Sequence, residues 1–110
     1  MVYRVTLASC GNPDYGQDPS QPLPGVPDAV ATIASLSRAT DRVPLHVLVE
    51  ASRICRQYIE SNELGSGNWA GGDILNKDGQ VVARVSYNGK VWPVPDCDEH
   101  GKKLPPLYTP

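Results

Sequence analysis

The 110-residue sequence contains no phenylalanine, although it has five tyrosines and two tryptophans. The large aromatic side chains of the core must therefore be Tyr and Trp, and each needs a partner for its polar atom when it is buried. Ten basic and twelve acidic residues give a net charge of −2. The chain thus has neither a basic field for nonspecific nucleic-acid binding nor an acidic tail.

Long apolar runs are also absent. No segment approaches the length that crosses a bilayer, and the first residues lack the basic and apolar regions of a signal peptide. The three cysteines, Cys10, Cys55 and Cys97, are odd in number and widely spaced. This spacing argues against a disulfide framework and for reduced thiols. We therefore expect one cytoplasmic domain with no membrane association.

Residues 64–92 contain the strongest turn signals of the chain. Asn88-Gly89 predicts a two-residue type I′ hairpin turn, which would place Val85 opposite Trp92. Alternate residues of a strand share one face of a sheet. On this register the inward-facing residues are Val81, Ala83, Val85, Tyr87 and Trp92, and the outward-facing ones are Gln80, Arg84 and Ser86, with Val82 as the exception.

The preceding turn, Asn76-Lys77-Asp78-Gly79, fits two registers. A two-residue turn at Asp78-Gly79 would place Ile74 on the inner face. A three-residue loop with Gly79 in the left-handed region would place Leu75 there instead, since a shift of one residue exchanges the two faces. We favour the three-residue loop because it pairs Leu75 with Val81 across the strands.

Four glycines surround Trp69, namely Gly65, Gly67, Gly71 and Gly72. The ordinary interpretation is a helix C-cap followed by a loop whose backbone passes close to another element. A phosphate cradle is the alternative. It is disfavoured because no helix pattern and no GK[ST] motif follow the last glycine.

The N-terminal part predicts two strands separated by a proline-rich loop. Residues 2–9 alternate in type, with Tyr3, Val5 and Leu7 on one face. Residues 11–27 hold five prolines and three glycines, which exclude a helix or a central strand. Residues 28–42 fit either a helix or a strand. We favour a strand that pairs with the first, followed by a short turn over residues 35–40.

Residues 44–63 predict one long amphipathic helix that Gly65 ends. Its apolar stripe consists of Leu48, Ala51, Ile54, Cys55, Tyr58 and Ile59, and its opposite side carries Arg53, Arg56, Gln57 and Glu60. The predicted fold is therefore α+β: a mainly antiparallel sheet of four to five strands with one long helix packed on one face. This domain spans residues 1–96, and residues 97–110 form an irregular Pro-rich tail.

Residues with catalytic or metal-binding chemistry do not form a recognisable set. A cysteine nucleophile needs a base, and neither histidine has a visible relation to Cys10, while Cys55 lies on the apolar stripe. Cys97, Asp98 and His100 offer three metal-binding donor types, but a closed zinc site needs four ligands. We therefore predict no catalytic residue, no metal site and no cofactor.

The segments RQYIESNELGSGNWAGG and VVARVSYNGKVW resemble a pattern in short uncharacterised proteins of bacterial plasmids and other mobile elements. The likeness covers about residues 53–92 and depends on Arg56, Tyr58, Leu64, Gly65, Asn68, Trp69, Gly71, Gly72 and the SYNG turn through Trp92. The group has no known activity to transfer. The resemblance implies an accessory protein that binds host or element machinery, and inhibitors of host defence systems, including anti-CRISPR proteins, are one such class.

The leading hypothesis is thus a non-catalytic protein that binds a host or element-encoded protein. The predicted partner-binding residues are Tyr15 in the loop, Arg53, Arg56 and Gln57 on the helix, and Arg84 on the open sheet face. A nucleic-acid-binding regulator is the first alternative, which the negative charge and the inward placement of Tyr87 and Trp92 disfavour. A small thiol or metal-dependent enzyme is the second. An exposed edge strand would also permit strand addition or a homodimer.

Overall fold

The structure is a computed structural model, and it describes residues 2–35 and 42–110. Five strands form one antiparallel sheet in the order β2-β1-β3-β4-β5, and one long helix packs on one face, which confirms the predicted α+β fold. The elements are β1 (Val2–Leu7), β2 (Ala29–Ala34), α1 (Leu45–Ser61), β3 (Asp73–Leu75), β4 (Val81–Val85) and β5 (Val91–Pro93). Among the described residues, no helix is long and apolar enough to cross a membrane.

The hydrophobic core lies between α1 and the sheet. Along β1 the predicted alternation is confirmed, because Tyr3, Val5 and Leu7 are buried while Arg4 is exposed. The other strands contribute Ile33, Ile74, Ala83, Val85 and Val91, and the helix contributes Val47, Leu48, Ala51 and Cys55. Burial of this apolar area, at about 25 cal/mol per Å², is the main force that holds the helix on the sheet.

The strand favoured for residues 28–42 is confirmed over Ala29–Ala34, and it pairs with β1 as predicted. The antiparallel register runs without interruption from Val2 opposite Ala34 to Leu7 opposite Ala29. The turn predicted after this strand falls mostly on residues 36–41, which lie outside the described residues.

Helix α1 carries the predicted apolar stripe. Four of the six predicted positions are buried, and Ile54 and Tyr58 are half-buried. The prediction that Gly65 ends the helix is wrong. The left-handed residue at the end is Glu63, with φ at 53°, and the Leu64 amide donates to the Ile59 carbonyl at 2.9 Å, as in a Schellman motif.

The loop between β3 and β4 has the favoured three-residue form, with Gly79 at φ 79° and Leu75 opposite Val81. A β-bulge follows, because Ile74 lies opposite Ala83. Ile74 is fully buried, so the prediction that Leu75 faces inward is wrong. The extra residue of the bulge resolves the choice between the two registers, since one bulged residue exchanges the faces beyond it.

The bulge also changes the face of the β4 residues before it. Leu75 is opposite both Arg4 and Val81, and directly opposite residues share a face. Val81 therefore lies on the side away from the helix, contrary to the prediction, whereas Val82 packs against the core. Val82 broke the alternation in the sequence because it is the extra residue of this bulge.

The hairpin between β4 and β5 differs from its prediction. Only Gly89 of the turn has a positive φ, at 87°, and the Ser86 amide donates to the Lys90 carbonyl at 2.9 Å. The loop therefore has three residues, and Val85 lies opposite Val91 instead of Trp92. Fully buried Val91 occupies the core position predicted for Trp92, and Tyr87 lies in the loop itself.

The C-terminal tail adds two bridges to the fold. The Val91 amide donates to the Tyr108 carbonyl at 2.9 Å, and the Leu107 amide donates to the Val91 carbonyl at 2.7 Å. Cys97 pairs with Lys103 in a second bridge. The tail therefore lies along the outer edge of β5, with Tyr108 packed against the core.

Candidate partner-binding surface

The face of the sheet opposite α1, here called the outer face, is not covered by any described helix. Cross-strand pairing assigns its residues, because opposite residues share a face. They are Val2, Arg4, Thr6, Val30, Thr32, Ala34, Asp73, Leu75, Val81, Arg84 and Trp92. An antiparallel sheet with one solvated face normally presents polar residues there. This one presents several apolar side chains, and Val2 and Val30 are 45% and 58% exposed.

Arg84 lies near the middle of the β3–β5 part of this face. Its neighbours along the strand, Ala83 and Val85, are fully buried, so its own side chain points away from the helix, as predicted. Arg84 Nε donates to Asp73 Oδ1 at 2.7 Å, and the pair is solvent-exposed. An exposed pair of this kind contributes only about 0–1 kcal/mol. The Asp73 bond uses only Nε, and the guanidinium carries four further N–H donors.

Two shallow hollows meet at Arg84. The first has a volume of about 240 Å³ and is lined by Trp92, Lys103 and the chain from Pro93 to Asp96. The second has a volume of about 390 Å³ and is lined by Trp69, Asp73 and Tyr87. Arg84 lines both. Arg84 thus lines two hollows that each include a tryptophan, of which Trp69 is also packed against the core.

Trp92 lies on the outer face because of the three-residue loop before β5. It is directly opposite Arg84, and its Nε1 donates to Ser86 Oγ at 3.2 Å. The ammonium of Lys103 lies 4.5 Å from the centre of its ring, within cation–π range. The indole is therefore held in place at its edge and on one of its faces.

Trp69 is positioned by the glycine-rich loop. Its Nε1 donates to the Val85 carbonyl at 3.0 Å, and its ring lies 6.0 Å from that of Tyr58. A Cβ on Gly72 would stand 2.2 Å from the Val85 carbonyl oxygen, and one on Gly71 would stand 2.6 Å from the Thr6 carbonyl oxygen. The interpretation of this loop as a close backbone approach is therefore confirmed.

The same loop does not form the alternative phosphate cradle. The Gly72 amide donates to the Thr6 carbonyl at 2.7 Å, and the Ala70 amide donates to the Ala8 carbonyl at 3.1 Å. These two N–H groups are used within the fold, so they do not converge on an external anion.

The predicted helix residues separate into two groups. Arg53 and Gln57 share the exposed side with Glu50, and Arg53 donates to both, at 3.2 Å to Glu50 Oε2 and 3.3 Å to Gln57 Oε1. The bond from Arg53 lowers the pKa of Glu50. This group lies on the helix, whereas Arg84 lies on the opposite side of the sheet.

Arg56 has a different environment. Its guanidinium donates to the Tyr87 carbonyl and lies 5.3 Å from the centre of the Tyr87 ring. The Tyr87 hydroxyl in turn donates to the Leu64 carbonyl at 3.2 Å. Arg56 thus joins the helix to the β4–β5 loop. Tyr15, the remaining predicted residue, is 79% exposed at the end of a 3-10 turn.

The cysteines and the Cys97, Asp98 and His100 segment make contacts within the fold. Burial raises the pKa of Cys55 to about 12, which keeps it a neutral thiol, and Cys10 Sγ donates to the Gly67 carbonyl at 3.5 Å. Asp98 Oδ1 accepts from the backbone amides of His100 and Lys102, each at 2.9 Å. Within residues 2–35 and 42–110, no group of three His, Cys, Asp or Glu side chains could hold a metal ion.

A third hollow, of about 890 Å³, opens at the N-terminal end of α1. Exposed Leu45, Val94 and Leu107 line it together with Lys77 and Asp78. It lies at the end of the sheet where the β3–β4 loop meets the tail. None of the residues predicted to bind a partner contributes to it.

No protein-family model, curated protein or solved structure matches this chain. The surface around Arg84 is therefore assigned from its own geometry. Arg84 was predicted for this surface from the sequence, whereas its neighbours Trp92 and Lys103 were not. The sequence does contain a signal for the position of Trp92. The segment SYNGK has the same spacing of polar residue and glycine as NKDGQ, for which the three-residue loop was favoured, and the same loop before β5 would have placed Trp92 on the outer face.

Proposed function

We propose that this protein is a non-catalytic binding protein whose outer face docks a protein partner that presents carboxylates. The observation that carries the proposal is the position of Arg84 between two hollows, one lined by Trp69 and the other by Trp92. Trp and Arg are over-represented among the residues that dominate binding energy at protein interfaces. A guanidinium with free N–H groups binds a carboxylate in a bidentate geometry.

The charges around Arg84 favour an acidic partner. Arg4, Arg84 and Lys103 supply three cations on this side of the sheet, whereas Asp73 and Asp96 supply two carboxylates. The surface therefore has an excess of positive charge on a chain whose net charge is −2. Complementary charge of this kind orients a partner and raises its association rate.

The apolar part of the surface supports a protein as the partner. Leu75 lies between Arg4 and Val81 across the strands, and exposed Val2 on β1 and Val30 on β2 extend the apolar area. Interface cores combine apolar and aromatic contacts with a polar rim. The setting, an accessory protein of bacterial mobile DNA that acts on a host or element-encoded protein such as a defence complex, comes from the sequence resemblance.

A nucleic-acid-binding regulator is the second candidate, and one observation favours it. Trp92 lies on the outer face beside Arg84, where the sequence had placed it in the core, so the aromatic argument against this class no longer holds. Stacking of bases on an exposed indole is a usual mark of single-strand binders. The protein partner remains preferred because Lys103 already covers one face of the Trp92 ring.

The test is affinity capture from lysate of the natural host with the tagged full chain, with and without nuclease. Wild type is compared with Arg84→Glu and Arg4→Glu, and with Arg53→Glu as the control on the helix. All three positions are exposed arginines, so each substitution makes the same charge change outside the core. Circular dichroism and urea unfolding verify that every variant is folded.

We expect a nuclease-resistant protein that Arg53→Glu retains and that Arg84→Glu and Arg4→Glu lose at least tenfold. The purified partner should bind more weakly as salt increases, because the contact is between opposite charges. A partner that binds all three variants equally would contradict the proposed surface. Co-purified nucleic acid that disappears after nuclease treatment, with a steep salt dependence, would support the regulator instead.

A further inference from the structure

The two edges of the sheet differ in their protection. At the β5 edge, the tail pairs with Val91 through Leu107 and Tyr108, and Pro93 lies within the strand. At the β2 edge, no described strand or loop pairs with the outer side of Ala29–Ala34. Among the described residues no backbone group pairs with that side, so its N–H and C=O groups are available to water or to another strand.

Strand β2 also lacks the features that normally prevent edge pairing. Its sequence, AVATIA, has no charge, proline or glycine. Its register with β1 is regular over all six residue pairs, so no bulge distorts the edge. Exposed edges are usually blocked by one of these features. Within residues 2–35 and 42–110, one edge of the sheet is covered by the tail, and the other is regular, uncharged and unpaired.

We propose that β2 pairs with β2 of a second copy of this chain, so that the two sheets form one continuous antiparallel sheet. A two-fold axis perpendicular to the sheet relates the copies, and the interface is isologous. Under this symmetry, opposite residues must lie on the same face. The register centred on Thr32 then pairs Thr32 with itself, Val30 with Ala34, and Ala31 with Ile33.

The lack of charge in β2 and its cross-strand pairing favour a second copy of this chain as the occupant. No charged residue lies within β2, so self-pairing brings no like charges together, and a threonine–threonine pair is a favourable cross-strand contact. On the outer face, Val30 and Ala34 are both exposed. In this register, Val30 of each copy lies beside Ala34 of the other copy, and the contact buries apolar area at the junction.

The interface is small, since a single strand pair buries less area than a standard stable complex. The dimer should therefore depend on concentration. The proposed partner surface reaches β2 through Val30, but its charged centre at Arg84 lies three strands away from β2 in the sheet order. A loss of partner binding and a loss of dimer can thus be produced by different substitutions.

The test is sedimentation velocity of the full chain over a concentration series, with Thr32→Lys, Thr32→Glu and their equimolar mixture. Thr32 is exposed, so neither substitution enters the core. Thr109→Lys, at an exposed threonine in the tail, is the matched control. Val30→Lys, also exposed, is a second disrupting variant if Thr32→Lys proves unstable in urea.

We expect wild type and Thr109→Lys to reach twice the 11.9 kDa mass of the monomer as concentration rises. Thr32→Lys and Thr32→Glu should each stay monomeric, because like charges would face each other across the axis. Their mixture should regain the dimer, since a lysine then faces a glutamate. A wild-type chain that remains monomeric at ~1 mM, or a Thr32→Lys chain that dimerises as wild type does, would overturn the proposal.

Discussion

The ammonium of Lys103 lies 4.5 Å from the centre of the Trp92 ring on the outer face of the sheet. The contact joins the C-terminal tail to β5 at the position where Arg84 faces the same indole across the strands. It is thus a structural contact and also part of the surface proposed for partner binding. Its two roles can be separated by measuring stability and binding on the same variant.

We expect Lys103→Ala to lower the free energy of unfolding by about 0.5–1 kcal/mol, the usual contribution of an exposed cation–π contact. The neighbouring Lys102→Ala, which removes the same charge from another exposed side chain, should change it by less than about 0.5 kcal/mol. Urea unfolding followed by tryptophan fluorescence measures both. Equal effects of the two substitutions would show that the contact with Trp92 contributes nothing specific.

Arg56 should be a stabilising residue. Its guanidinium donates to the Tyr87 carbonyl, lies over the Tyr87 ring and pairs with Glu60 at 3.5 Å. Arg56→Ala removes all three contacts and should cost about 1–3 kcal/mol. Arg53→Ala removes only exposed contacts with Glu50 and Gln57 and should cost less than about 1 kcal/mol. Thermal and urea unfolding compare the two.

This difference bears on how the helix is tested as a binding surface. A charge reversal that includes Arg56 would disturb the β4–β5 loop. A loss of binding could then result from this structural change and not from the loss of a contact with the partner. Arg53→Glu alone changes the charge of the helix surface and leaves the contact between Arg56 and Tyr87 intact. Should Arg56→Ala and Arg53→Ala prove equally stable, the loop would not depend on the arginine.

Alanine substitutions at Gly72 and Gly79 distinguish the cost of a steric clash from the cost of backbone strain. Both have positive φ, at 100° and 79°, but a Cβ on Gly72 would lie 2.2 Å from the Val85 carbonyl oxygen, whereas one on Gly79 would meet nothing within 4 Å. Gly79→Ala should cost about 1–2 kcal/mol through strain alone. Gly72→Ala should cost at least ~2 kcal/mol more, because a backbone strand must move.

Urea unfolding of the two alanine variants measures these costs directly. A similar loss for both would mean that the β4 backbone yields easily at Val85. That result would also weaken the view that the glycine-rich loop is fixed against the sheet, and hence that it holds Trp69 rigidly beside Arg84.

The sequence predicted the elements better than it predicted their faces. Apolar periodicity was sufficient for α1, and alternation was sufficient for β1, because each pattern is long and regular. In the meander, single-residue shifts decide which side chains face the core. One bulge at Leu75 exchanged Val81 with Val82, and one extra loop residue exchanged Trp92 with Val91.

These shifts affected the candidate surface, because two of its residues, Val81 and Trp92, lie on the face opposite to the predicted one. Arg84 was placed correctly since its buried neighbours, Ala83 and Val85, lie beyond the bulge. Lys103 could not be predicted, because its contact with Trp92 requires the tail to fold back along β5. Chain reversal over such a distance leaves no periodic signal in the sequence.

The buried thiol of Cys55 gives a pH-dependent prediction. Burial raises the pKa of Cys55 to about 12 in the folded protein, from 9.0 as its ordinary value. Between these values the unfolded chain loses the proton and the folded chain keeps it, so the free energy of unfolding falls as pH rises. The slope from this group is about 1.4 kcal/mol per pH unit.

Comparison of wild type with Cys55→Ala isolates this effect. The variant lacks the titrating group, so its stability should fall less steeply above about pH 9, although it is less stable at neutral pH because of the small cavity. In the folded wild type, exposed Cys97 should react with a thiol reagent while Cys55 does not. Parallel pH profiles for the two proteins would contradict the raised pKa.

Glu63 offers a stabilising substitution. It is the one non-glycine residue with positive φ among the described residues, at 53°, and it occupies the position at a helix end that glycine favours. A side chain in the left-handed region is strained. Glu63→Gly should therefore raise the free energy of unfolding by about 0.5–1 kcal/mol, after allowance for the greater freedom of glycine in the unfolded chain.

Ser61→Gly is the matched control for this substitution, because Ser61 is the last helical residue of α1 and is also exposed. There the backbone is right-handed, glycine relieves no strain, and the variant should lose about 0.5 kcal/mol. Opposite signs for two glycine substitutions only two positions apart would show that the strained, left-handed residue after the helix is Glu63. A loss of stability in both variants would mean that contacts of the Glu63 side chain outweigh its backbone strain, and that the Schellman geometry does not depend on relieving it.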